Sequence, residues 1–209
     1  MQRYLKVIGL GGSMRANSSS LAALRVALDG AAEAEAEVEL IDLRSLALPF
    51  YNQEIASPPS EATLLADKAY HAHGLLWASP MYHGTVSGSF KNALDWLQLL
   101  SDREPAFLTD KVIGLISVAG GVQGIQAVNT MEFAVRALRG WAVPLVVPIA
   151  QAWQAFDDRG RPRDPGVEKQ LLTLGKEVTR VAGLMTQGVA IDPAAECAAA
   201  ARTAQGASA

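Results

Sequence analysis

The stretch GLGGSMRANSSSL, Gly9 to Leu21, decides how the chain is read. A short apolar run, Tyr4 to Leu10, leads into it and a helical pattern follows, so it is a strand-to-helix turn. Such a turn aims backbone N–H groups and the positive end of a helix dipole at one point, which makes an anion site. Ser13, Ser18, Ser19 and Ser20 add hydroxyls there, and Arg15 adds a planar guanidinium fork. That donor set suits a terminal phosphate carrying two negative charges. Serines after a strand are also ordinary helix caps, but a cap needs neither Arg15 nor the glycines beside it.

Outward from this turn, apolar runs suited to buried strands alternate with amphipathic runs suited to helices. Strands are predicted at Tyr4 to Leu10, Val38 to Leu43, Leu75 to Ser79, Val112 to Val118 and Val143 to Ile149. Helices are predicted at Ser19 to Ala32, Ser60 to Ala72, Gly88 to Leu100, Val122 to Arg139 and Pro165 to Gln187. Parallel neighbours need a long, right-handed connection, so this alternation gives a doubly wound sheet. The fifth strand carries Pro144 and Pro148, each lacking a ladder donor, which assigns it to an edge. The second alternates Val38 and Leu40 with Glu39, the pattern of a less buried strand. With both at the edges, the simplest spatial order is 2-1-3-4-5, and a ligand crevice opens where strands 1 and 3 diverge. The expected fold class is α/β, a three-layer sandwich with a five-stranded parallel sheet and helices on both faces.

Loops from the carboxyl ends of strands 1, 3 and 4 converge on that crevice. The first is the phosphate turn. The second, SPMYHGTVSG at Ser79 to Gly88, is expected to end its strand at Pro80, to offer the Tyr82 ring, and to pass close to a planar ligand at Gly84 and Gly88. In the third, SVAGGVQG, Gly120, Gly121 and Gly124 bring bare amides against a ring edge. A phosphate turn, an aromatic and two glycine-rich loops describe a site for a flat heterocycle with a phosphate tail, and FMN has that shape.

Composition narrows the classes. A chain of 209 residues, half of them hydrophobic, buries a sizeable core as one domain, expected over residues 1–190 with an Ala-rich tail at 191–209. A net charge of −3 and a pI near 5.6 argue against a nucleic-acid surface. The single cysteine, Cys197, fits a reducing compartment. No apolar run approaches a membrane span and no signal-peptide pattern precedes the first strand, so a cytoplasmic protein is expected.

These motifs resemble the NAD(P)H-dependent FMN reductases, a flavodoxin-like group that includes quinone, chromate and azo-dye reductases. The resemblance rests on GSMRANSS at Gly12 to Ser19, SPMYHGTVSGSFKNALDWL at Ser79 to Leu97, and the GGVQG loop ending at Gly124. It covers Tyr4 to about Gln187. It implies a flavodoxin-like sandwich, phosphate contacts from Ser13, Arg15, Ser18, Ser20 and the Ser19 amide, and a ring lined by Pro80, Met81, Tyr82 and His83, with Ser117 and Gly120 nearby. Where many relatives carry Asn, this chain has Ser20, which shortens an amide contact to a hydroxyl.

The expected function is an FMN-dependent oxidoreductase. It would take electrons from NADPH or NADH and pass them to a small acceptor: a quinone, free flavin, chromate, an azo compound or a metal ion. Because flavin carries the redox chemistry, no residue is assigned as a catalytic acid or base, and none as a metal ligand. A flavodoxin-like electron carrier without nicotinamide turnover is the alternative, although such a carrier is typically more acidic. A Rossmann-type NAD site is a third reading, weakened because Met14 stands where that fingerprint needs a glycine.

The remaining features read as follows. His71 and His73 compensate the dipole at the end of the second helix. Lys91 and Asp95, four apart on one helix, form either a surface ion pair or an inter-subunit contact. The third helix is apolar on more than one side, with Trp96, Leu99 and Leu100 outside its main stripe, and the fourth adds Phe133 and Trp141. Helices of that kind build a homodimer interface, or a homotetramer, as the resemblance also implies. The segment DDRGRPRDP at Asp157 to Pro165 is a solvated loop, with Arg159, Arg161 and Arg163 as candidates for the NADPH phosphate.

Overall fold

The computed structural model describes residues 5–186, so the tail at 191–209 and the expected domain end at 190 lie outside it. In chain order come β1 (Lys6–Gly11), α1 (Ser19–Glu33), β2 (Glu37–Asp42), α2 (Leu43–Leu46), α3 (Ser60–His71), β3 (Gly74–Tyr82), β4 (Thr85–Val86) and α4 (Gly88–Trp96). There follow β5 (Val112–Val118), α5 (Ile125–Ala137), β6 (Trp141–Ile149) and α6 (Pro165–Thr186). The parallel strands lie in the order β2-β1-β3-β5-β6, which is the expected 2-1-3-4-5. Helices α1 and α6 cover one face, and α3, α4 and α5 cover the other.

Several expectations about the elements need correction. The sheet has a sixth strand, because β3 does not end at Pro80 but runs to Tyr82, where β4 pairs with it antiparallel. His83 and Gly84 form the two-residue turn between them at φ 50° and 82°, the backbone that suits a tightly twisted hairpin. Helix α5 starts at Ile125, preceded by a 3₁₀ turn at Val122–Gly124. Similarly, α4 gives way to a 3₁₀ turn at Leu97–Leu100. Last, α3 stops at His71, and His73 accepts a hydrogen bond from the Lys6 N–H at 2.9 Å, tying the start of β1 rather than compensating a helix end.

The edge assignment of the proline-bearing strand holds. Ile113 pairs with Ala142 and Leu115 with Val146, so Val143, Pro144 and Leu145 stand opposite Gly114 in an irregularity that accommodates Pro144.

Glycines set how closely α1 packs. A Cβ at Gly9 or Gly11 would come within 2.8 Å of Leu28 or Leu21, so these two glycines let α1 settle on β1. Where α1 crosses α6 there is still less room: a Cβ at Gly30 would collide with the Leu172 backbone, and one at Gly175 with the Ala27 carbonyl.

The second apolar side of α4 is covered by the chain itself. Trp96 is 1% exposed, donates from Nε1 to the Pro49 carbonyl at 2.9 Å and meets Tyr51 edge-on. Asn92 binds the same strap twice, to the Tyr51 N–H and the Pro49 carbonyl. Trp96 and Leu100 are therefore core residues and not interface residues.

Gly175→Ala is expected to cost about 3 kcal/mol, the upper range for overpacking, as read by urea denaturation. Gly121→Ala, whose Cβ would meet nothing within 4 Å, should leave the midpoint unchanged.

Candidate functional site

Residues 12–18 connect β1 to α1 across the carboxyl edge of the sheet. Gly12 donates its N–H to the Ala78 carbonyl of β3 at 2.8 Å, and its carbonyl turns toward α4. Beyond it the chain is exposed from Met14 to Asn17. Ser18 caps α1, its hydroxyl accepting from the Leu21 N–H at 3.3 Å. Ser20 is buried and shares a 2.8 Å hydrogen bond with Ser18. Ser13 is also buried and accepts from the Arg15 N–H at 3.2 Å. Among the described residues, no acceptor faces the N–H groups of Ser13, Met14, Ala16 or Asn17, and no carboxylate pairs with Arg15. The turn thus presents free donors at the positive end of a 15-residue helix.

Facing it, Pro80 and Met81 are half-buried while Tyr82 keeps 50% exposure and His83 projects from the hairpin turn. The hairpin rests on α5, where Thr85 and Thr130 join hydroxyls at 3.2 Å. Gly120 and Gly121 are exposed; a Cβ on Gly120 would touch only Trp153 at 3.8 Å, and one on Gly88 or Gly121 nothing within 4 Å. Packing within the chain therefore asks for a glycine at none of these three places. Ser117 is fully buried and donates to the Gly124 carbonyl at 2.7 Å, which sets it beneath the loop, not on its surface.

Sequence reasoning missed a fourth loop. After β6, Ala152 donates its N–H to the Ala119 carbonyl at 3.0 Å and accepts from the Ser19 hydroxyl at 3.1 Å, so it bridges the first and third loops. It carries Trp153, 71% exposed, up to Gly120. The signal was the Trp in QAWQAF just past a strand end, a position where loops gather in this topology. Ser87 and Ser89 were also missed. Ser87 caps α4, accepting from the Phe90 N–H at 3.2 Å. Downstream, the Gly160 position packs against Ala22 of α1.

The family described as NADPH-dependent FMN reductase matches residues 5–154. The chain belongs to this family. The FMN reductase match ends at the fourth loop, just past Trp153. The NADPH-dependent FMN reductase ArsH of Acidithiobacillus ferrooxidans is 32% identical over 118 residues, covering 56% of this chain and 48% of that protein. The chain thus matches about half the length of that relative. An NAD(P)H-dependent FMN reductase of Pseudomonas aeruginosa is 27% identical over 88% of this chain and the whole of its own. Among solved structures, the flavoenzyme NAD(P)H:(acceptor) oxidoreductase FerB of Paracoccus denitrificans superposes with a TM-score of 0.69 at 22% identity, covering 87% of this chain and 98% of its own, a likeness of fold.

The segment after the fourth loop is braced in part by one carboxylate. The Arg161 N–H, followed by the Arg159 N–H, hydrogen-bonds Asp157 and keeps its carboxyl below the ordinary value of 3.8. A lowered carboxyl pKa contributes stability that is present above the unfolded value and lost as pH falls through the folded one. Amide exchange at Arg159 and Arg161 should therefore be insensitive to pH-driven opening near neutrality and lose protection only in acid below pH 3.8. Asp157→Asn, which carries no titrating group, should remove that acid dependence.

Proposed function

We propose that the chain binds FMN at this site and works as an NAD(P)H-dependent reductase of a small acceptor such as a quinone. The observation that carries the reading is the turn at 12–18, where backbone donors and an Arg15 that have no partner among the described residues gather at the start of α1. Those groups fit a phosphate dianion. The open space at Gly88, Gly120 and Gly121 is the second point of fit, since a planar ring needs a main chain without Cβ atoms beside it.

Each side chain then has a physical task. Arg15 and the turn's N–H groups neutralise the phosphate, and Ser18 offers a hydroxyl while capping the helix. Pro80, Met81, Tyr82 and His83 form one wall of the ring site, with the Gly120 and Gly121 amides opposite. Ser20 and Ser117 act from beneath, Ser20 orienting Ser18 and Ser117 holding the Gly124 carbonyl. Bound there, FMN supplies a two-electron carrier between a nicotinamide and an acceptor. A cytoplasmic location follows from that dependence on reduced nicotinamide.

We also propose that two copies associate through α5 and the start of β6. Phe133 is 73% and Trp141 57% exposed, beside a hollow of about 500 Å³ lined in part by Val135, Arg136 and Pro144. Sedimentation at micromolar concentration should give a dimer or tetramer of the 22.1 kDa chain. Phe133→Glu combined with Trp141→Glu should give the monomer, and a wild-type monomer sinks the idea.

The purified protein should be yellow, release FMN on denaturation, and oxidise NADPH when a benzoquinone is added. A colourless protein that binds no flavin overturns the reading, whereas a flavin unreactive toward NADPH and NADH marks an electron carrier instead. Arg15→Ala removes a charge-assisted contact worth roughly 1.5 to 3 kcal/mol, so FMN affinity should fall about ten- to a hundredfold in a fluorescence titration.

A further inference from the structure

The carbonyl of Gly12 is the most heavily bonded acceptor in the phosphate turn. Ser87 Oγ donates to it at 2.5 Å and Ser89 Oγ at 2.9 Å, which fills both lone pairs. Gly12 and Ser87 are buried, so water does not replace these donors when they are lost. The same glycine gives its N–H to Ala78, and a Cβ on it would press against Phe90 at 2.7 Å. The peptide that begins the turn is thus gripped from β3 on one side and from α4 on the other.

That grip has a direction. The Gly12–Ser13 peptide is trans, so its N–H points opposite to its carbonyl. Fixing the carbonyl toward α4 fixes the Ser13 N–H away from α4, and this is the first free donor of the turn. Ser87 also belongs to the ring side of the site: its own N–H donates to Ser79 Oγ at 3.0 Å, and Ser79 Oγ donates to the Pro80 carbonyl at 3.0 Å. One short chain of hydrogen bonds therefore runs from Pro80, which faces the ring, to Gly12, which opens the phosphate turn.

We propose that Ser87 and Ser89 are positioning residues for the phosphate end of the flavin, holding the turn's first amide in its binding direction before the ligand arrives. This rests on the reading that the turn binds FMN. The two serines separate this role from helix capping. Ser87 both caps α4 and grips Gly12. Among the described residues Ser89 caps no helix; apart from a 3.2 Å contact with Ser87 Oγ, its hydroxyl serves the Gly12 carbonyl there alone.

FMN and riboflavin share a ring and differ in the phosphate, so their affinity ratio isolates the turn. The flavin-free chain, Ser87→Ala and Ser89→Ala are titrated with both, following flavin fluorescence. Ser87→Ala should lower FMN affinity about tenfold and Ser89→Ala about threefold, since the first loses the shorter, buried bond to the Gly12 carbonyl and the second the longer, partly exposed one. Riboflavin affinity should change less than twofold in either variant. Equal losses for FMN and riboflavin, or no loss of FMN affinity in Ser89→Ala, overturn the proposal. Ser89→Ala keeps the cap of α4, so it decides the matter even if Ser87→Ala folds poorly. A wild-type chain that binds FMN no better than riboflavin refutes the phosphate reading itself, a result distinct from an unchanged ratio in the variants.

Discussion

The close seating of α1 governs the arrangement of this molecule. It touches β1 through Gly9 and Gly11 and crosses α6 through Gly30 and Gly175, with backbone against backbone at the crossing. A helix held so near the sheet has little freedom to tilt. Its first turn therefore emerges directly above the end of β1, and the donors of residues 13–18 stand at the crevice between β1 and β3. The glycines that a dinucleotide fingerprint would give to a ligand serve packing here, which is why the Rossmann reading fails at its root. Open space for a ligand lies instead at Gly88, Gly120 and Gly121.

The loops around that crevice come from four different strands, yet they are bonded to one another. Gly12 is tied to β3 and α4, Ser19 to the loop after β6, and that loop to Ala119 after β5. The hairpin made by β3 and β4 leans on α5. Such cross-ties reduce the ordering that a ligand would otherwise have to impose, which is the physical content of a preorganised site.

Much of this was legible in the chain because it rests on local chemistry. Pro144 and Pro148 marked an edge strand, Glu39 marked the other, and the donor-rich turn stood out once Arg15 joined the serines. What escaped depended on distance in sequence or on the double use of one group. The His83-Gly84 turn lacks the Asn or Asp that usually announces a hairpin, and Pro80 was read as a strand end. Trp96 looked like a residue seeking a partner molecule because the strap that covers it, Pro49 to Tyr51, lies 47 residues upstream of it at its hydrogen bond. Ser87 caps α4 within its own turn; its second bond, to Gly12, spans 75 residues and leaves no local trace. The role of Ala152 as a bridge is made by its backbone, which no residue type announces.

The irregular edge strand bears on how the molecule meets its neighbours. With Pro144 and Pro148 in β6 and three residues crowded opposite Gly114, that side of the sheet offers an interrupted row of main-chain donors. Another strand laid along it would find gaps where its carbonyls need partners, so the sheet is closed to growth by strand addition. Recognition on this flank must be written in side chains, and the language available is aromatic and cationic: Trp141 at the strand's start, with Arg136 and Arg139 beside it.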